Sequence, residues 1–237
     1  AIDAASGGKT GINFLGLKNE IGVFAPAKAV LIDSRFFKTL DKANLLSGYA
    51  EMIKHALIDN EKTLTATLSF DFDAINYQKL LELVQINLDI KSKIVDQDPK
   101  ELGIRKALNF GHTFGHAFEA LSFKTSNHLL HGFAIMWGIV CELYLSHIQL
   151  GFPKKNLIEI LHYTKDNYGA FPYSCKQYEA IFDMMKHDKK NEAQTINFTL
   201  LRHIGVIEID QTATKEAIFE ALDFVRENWK QTLLLWK

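Results

Sequence analysis

Cysteine is nearly absent. Only Cys141 and Cys175 occur, far apart in the chain. That excludes a disulfide-stapled scaffold and reads as two reduced core thiols in a cytoplasmic protein. Excess charge of one sign is missing too. The 27 Lys and Arg are set against 28 Asp and Glu, for a formal net charge of −1. Affinity for nucleic acid rests on clustered cations, so no nucleic-acid partner is expected. No long apolar run is present. The longest, Phe133 to Cys141, stops at Glu142, short of the ~18 residues a membrane span needs, so no membrane partner is expected. No basic-then-apolar leader opens the chain. Position 1 is not Met. The chain begins "AIDAASGG", straight into what looks like a site loop, and reads as the later part of a longer polypeptide. A last absence concerns a motif. "SGGKTG", Ser6 to Gly11, contains Gly-Lys-Thr, but a P-loop needs a glycine where Asp3 stands. Lys9 can still meet a phosphate, though by another architecture.

What is present changes texture near residue 41. Before it, Thr10 to Pro26 is punctuated by glycine and predicts loop or hairpin, and "KAVLIDS" (Lys28 to Ser34) predicts a short buried strand. After it, apolar residues recur at helical spacing in "NLLSGYAEMIKHALI", with Asp41 placed to cap. "YQKLLELVQINLDIKSKIVDQDP" predicts a long amphipathic helix stopped by Pro99. "FGHTFGHAFEAL" and "HGFAIMWGIVCELYLSHIQLG" are apolar all round and predict buried central helices. Further helices are expected over Lys154 to Asn167, Lys176 to His187 and Thr212 to Trp229, with "INFTLL" and "GVIEID" as a small hairpin. The expected organisation is α/β followed by α. Residues 1–41 form the end of one domain and residues 42–237 a mostly helical second domain.

The chemistry is concentrated in "GIRKALNFGHTFGHAFEAL". Arg105, Asn109, His112 and His116 fall four, three and four apart, which on one helix is one face. A polar stripe on an otherwise greasy segment is costly to bury without partners. The bland alternative is a solvent-facing stripe, for which Lys and Glu are commoner choices. His112 and His116 form HxxxH, but Thr113 stands where a zincin needs Glu. His131 opens the next buried helix. Glu51 and Lys54 share a face in "GYAEMIKHAL", where His55 is a competing ligand, read as a packing residue. One carboxylate with two imidazoles suits a catalytic Zn²⁺. Lys9, Lys18, Lys54, Lys91, Arg105 and Lys189-Lys190 sit among Gly, Asn and apolar residues. If they converge, the substrate is a polyanion bearing phosphate and carboxylate.

In order, "GGKTGIN", "LGLKN", "SGYAEMIKHALI", "GIRKALNFGHTFGHAFE", "LLHG" and "HDKKN" resemble the 3-dehydroquinate synthase family over essentially the whole chain. The resemblance implies a Rossmann-like NAD-binding domain, of which this chain carries the end, followed by an α-helical metal and substrate domain. It implies a homodimer in which 3-deoxy-D-arabino-heptulosonate 7-phosphate becomes 3-dehydroquinate and phosphate, with NAD and Zn²⁺ or Co²⁺. The family's glycine-rich NAD segment is expected before Ala1, so the isolated chain is expected to be incomplete as an enzyme. By the same resemblance Glu51, His112 and His131 hold the metal, while Glu101, His116 and Lys54 are catalytic. Asp3, Lys9, Asn19, Lys91, Arg105, Asn109 and one of Lys189 and Lys190 hold substrate. Lys18 and Thr39 touch NAD. The alternatives are another sugar phosphate cyclase, such as a 2-deoxy-scyllo-inosose synthase, and a non-catalytic helical binding module.

Overall fold

The computed structural model describes residues 4–14, 17–124, 128–186 and 195–235. The hairpin β1 (Ile12–Phe14) and β2 (Leu17–Ile21) lies near the N-terminus, and a 3-10 helix (Ser34–Thr39) follows it. Then come α1 (Lys42–Asp59), α2 (Glu61–Leu68) and α3 (Tyr77–Gln97). A second 3-10 helix (Ile104–Asn109) leads into α4 (His112–Ser122), α5 (His131–Leu150), α6 (Lys154–Tyr168) and α7 (Tyr178–Lys186). The antiparallel pair β3 (Asn197–His203) and β4 (Val206–Thr212) precedes α8 (Lys215–Leu235).

Local chemistry explains the helix ends. Asp41 Oδ1 accepts from the Asn44 amide at 2.7 Å, a cap worth ~1 kcal/mol. Asn60 and Asn76 cap α2 and α3 in the same way. Gly151, at φ 76°, closes α5 as its N–H and that of Phe152 return to the carbonyls of His147 and Ser146.

The core is built around α5, which packs against α1, α4, α6, α8 and β3. By length and composition α5 could cross a bilayer, with a mean hydropathy of 1.4, yet most of it is buried inside the protein. Its apolar surface is spent on neighbouring helices, as expected of a helix that is hydrophobic all round. At Gly132 a Cβ would lie 1.9 Å from the Ser47 carbonyl oxygen, and the Gly132 amide donates to Ser47 Oγ at 3.0 Å. That approach sets the first turn of α5 against α1.

Three expectations fail. Residues Lys28 to Ser34 form no strand, and Leu31 is 96% exposed. A strand needs a neighbour for its amides, and among the described residues the sheets are two isolated pairs. Asp33 instead caps the first 3-10 helix through the Arg35 amide. The stripe from Arg105 to His116 does not lie on one helix, because Gly111 at φ 79° breaks the 3-10 helix from α4. Cys141 is buried, but Cys175 is exposed; both are free thiols. The α1 cap, the α3 stop, the buried α4 and α5 and the late hairpin all form where expected.

Gly132→Ala should destabilise the fold by about 1–3 kcal/mol, because the added methyl meets backbone. Urea unfolding measures this. An unchanged midpoint would mean that α1 and α5 can separate freely at that point.

Candidate active site

α4 begins without a side-chain cap of its own, since its N-cap is Gly111. The first N–H groups of a helix need acceptors. Glu142 of α5, fully buried, supplies them: its carboxylate accepts from Gly111 N–H at 2.7 Å and Thr113 N–H at 3.1 Å. This fixes His112 at the first turn of α4. His112 Nδ1 faces the Phe110 carbonyl at 3.1 Å, which turns its Nε2 toward Glu51, 3.6 Å from Oε1.

His131, at the start of α5, completes the group. Its Nε2 lies 3.1 Å from Glu51 Oε1, and its Nδ1 lies 3.1 Å from Glu119 Oε2. Glu51, His112 and His131 offer ligand atoms all within 4.8 Å of one another. Glu51 is buried, and its other oxygen sits 2.6 Å from Lys54 Nζ, also fully buried. The His116 ring stands 5.2 Å from that of His112 and 6.1 Å from that of His131. His116 is thus beside the cluster but outside the three-residue donor set. His55 is fully buried.

A second group gathers where the N-terminal loop meets residues 98–109. Lys9 pairs with Glu101, whose other oxygen accepts from Asn109 Nδ2 at 2.8 Å. Arg105 is buried and donates to the carbonyls of Pro99 and Gly7, each at 2.7 Å. A Cβ on Gly7 would lie 3.0 Å from Arg105 Nη2 and 3.4 Å from Lys91 Cε, so Lys91 shares this corner. Lys91 is buried and its neighbour Lys93 is exposed, which separates the two lysines of "IKSK". The backbone of 109–112 joins the two groups.

Other candidates lie apart or out of view. Thr39 ends the first 3-10 helix with its hydroxyl donating to the Phe36 carbonyl at 3.1 Å. Lys18 and Asn19 belong to β2 by backbone. Asp3, Lys189 and Lys190 lie outside the described residues. Two carboxylates were not singled out from sequence. Glu119 continues the spacing of His112 and His116 by three more positions, a signal that was legible. Glu142 gave none, because a single acid ending an apolar run looks like a boundary.

Asp98 organises the loop beneath Arg105. Its carboxylate accepts from the amides of Leu102, Gly103 and Arg105 at 3.0, 2.7 and 3.1 Å. Burial pushes this carboxyl up, but the amide donors, Glu101 included, outweigh it and hold it below its ordinary 3.8. A lowered folded value means that its stabilisation is full above the ordinary value and is lost as pH falls through the lower one. Asp98→Asn should therefore cost stability at neutral pH, and the gap to the parent should close in acid. Urea midpoints measured across pH test this, and a gap constant into acid would refute it.

Comparison with known proteins gives this geometry its context. Residues 48–191 match the family model for the 3-dehydroquinate synthase C-terminal part, and residues 1–47 match that for its N-terminal part. The chain is 53% identical to the 3-dehydroquinate synthase of Parabacteroides distasonis, over 97% of this chain and 65% of that protein. It is 40% identical to that of Listeria innocua, over 96% of this chain and 62% of the relative. The chain thus spans just under two thirds of the length of these relatives. A solved 2-epi-5-epi-valiolone synthase from Streptomyces hygroscopicus, with NAD⁺ and Zn²⁺ bound, has the same fold at a TM-score of 0.80 and 22% identity, covering 96% of this chain and 63% of that one. A 2-deoxy-scyllo-inosose synthase complexed with carbaglucose-6-phosphate, NAD⁺ and Co²⁺ follows at 0.79 and 21%, covering 95% of this chain and 63% of that one. With both family models matched in order along its length, the chain belongs to the 3-dehydroquinate synthase family.

Proposed function

We propose that this chain is the metal- and substrate-binding part of a 3-dehydroquinate synthase. The reaction converts 3-deoxy-D-arabino-heptulosonate 7-phosphate to 3-dehydroquinate and phosphate, with NAD⁺ and Zn²⁺ or Co²⁺. The observation that carries the reading is the Glu51, His112 and His131 cluster. One carboxylate and two imidazoles fit a catalytic Zn²⁺ that keeps a position open. Both imidazoles turn Nδ1 to a protein oxygen and Nε2 toward Glu51, as ligating histidines do.

When bound, the metal polarises a substrate oxygen and the nicotinamide accepts and returns a hydride. The chain's own residues do the rest. Lys54 balances the buried Glu51 carboxylate and faces the reacting end of the substrate. His116, one turn from His112, and Glu101 move protons. Lys9, Lys91, Arg105 and Asn109, with Asp3, Asn19 and one of Lys189 and Lys190, hold the phosphate and carboxylate. Lys18 and Thr39 touch NAD, and the working form is a cytoplasmic homodimer. The main alternative is a cyclase for a sugar phosphate without the carboxylate. The 53% identity to a 3-dehydroquinate synthase, against 21–22% to the solved cyclases, favours the carboxylate substrate.

The direct test is phosphate release and 3-dehydroquinate formation by the chain joined to a family N-terminal NAD-binding segment, with substrate, NAD⁺ and Zn²⁺; the chain by itself should release no phosphate. Equal turnover of a sugar phosphate lacking the carboxylate would favour the alternative. For the metal, Glu51→Ala, His112→Ala and His131→Ala should each reduce Zn²⁺ from about one per chain to near none. His116→Ala should keep it. Elemental analysis after desalting reads this directly, and full Zn²⁺ in the His131 variant would remove that residue from the set.

A further inference from the structure

Glu119 has no part in the roles assigned above. It stands on α4, one turn beyond His116, mostly buried, and its Oε2 lies 3.1 Å from His131 Nδ1. The opposite ring nitrogen of His131 points at Glu51 Oε1, also at 3.1 Å. A neutral imidazole carries its proton on one nitrogen, and the hydrogen bond at one side decides what the other can do. A carboxylate is acceptor-only when ionised, so Glu119 draws the proton to Nδ1 in competition with Glu51 Oε1 at Nε2. Once a cation takes the place of that second contact, the Nδ1–H form leaves the Nε2 lone pair for it. His112 reaches the same state by a different route, with the Phe110 carbonyl as its acceptor. That carbonyl is fixed by the backbone. Glu119 is a side chain and can be replaced.

We infer that Glu119 is a positioning residue for the metal site: it sets the tautomer and ring plane of His131 and thereby raises the affinity of the cluster for a divalent cation. The inference rests on the metal reading above but can fail separately from it. Glu119 lies on the far side of the imidazole from Glu51, so it acts through His131 and not as a further ligand. The ring is therefore clamped from α4 while its backbone is set by α1 and α5.

The experiment uses the full chain in three forms: parent, Glu119→Met and Glu119→Gln. Met keeps the length of the side chain and removes the acceptor, whereas Gln keeps an acceptor oxygen without the charge. Zn²⁺ affinity is read by competition with a chromophoric chelator, and the His131 tautomer by ¹⁵N NMR of the metal-free protein. Glu119→Met should bind Zn²⁺ about 10–100-fold more weakly, the usual effect of losing an outer-shell partner. Its His131 should shift toward the Nε2–H form. Glu119→Gln should recover most of the affinity and the Nδ1–H form. Parental affinity in Glu119→Met, or an unchanged tautomer, overturns the inference. Should the Met variant not fold, Glu119→Gln decides: an Nε2–H imidazole with parental affinity overturns it, and a retained Nδ1–H form supports it. If the parent itself binds no Zn²⁺, the metal reading fails, while the tautomer measurement still judges Glu119.

Discussion

The buried Glu142 carboxylate is the contact through which the two central helices fix each other. α4 begins at His112, and its N-cap glycine has no side chain to offer the first amides. A carboxylate from the middle of α5 takes two of the orphan amides, which joins the start of one helix to the interior of the other. Charge-assisted bonds to backbone N–H are among the stronger ones available, and in a dry interior they are expensive to leave unmade. The same helix carries His131 on its first turn and the glycine that sits against α1 on its second residue. The three elements that bring the donors together are therefore all referenced to α5.

The charges at the site are arranged in pairs. Lys54 meets Glu51 and Lys9 meets Glu101, while Glu119 faces an imidazole nitrogen of His131. Burying an isolated charge is prohibitive, and burying a pair roughly breaks even only with good geometry. Arg105 is handled differently, against carbonyls of Gly7 and Pro99, so its charge ties the N-terminal loop to the loop before α4. A site assembled this way holds several cations ready without exposing them all to water.

Much of this was legible in the residues because the signals were local. Asp41 before an apolar run, Pro99 after one, and the all-round greasiness of "HGFAIMWGIVC" each fix an element by short-range chemistry. The candidate donors were legible for another reason: His and Glu are poor choices for core positions unless they have partners there, though which three of them form the set came only from the family resemblance. What misled was periodicity taken across a glycine. Four residues at helical spacing predict one helix, yet a left-handed turn at Gly111 divides them, with Arg105 and Asn109 before it and His112 and His116 after it. The supposed strand at Lys28 to Ser34 shows the opposite failure. Its composition is right for a strand, but pairing is a tertiary property, and no partner stands beside it among the described residues. Glu142 was illegible because its partners are backbone amides some thirty positions away, which no side-chain pattern announces.

The backbone at Glu101 adopts φ 61°, a conformation in which an L-residue is disfavoured by roughly 1–2 kcal/mol and glycine is not. Asn109 and Lys9 hold its carboxylate in that pose. For the backbone conformation alone, glycine would be the better occupant. On the proposed reading of Glu101 as a proton carrier, a carboxylate kept where the main chain prefers hydrogen would mean that the optimum for backbone conformation and the optimum for chemistry differ at this residue. A library screened only for thermal resistance would drift toward glycine at position 101, and its most robust members would be the ones that had given up the acid.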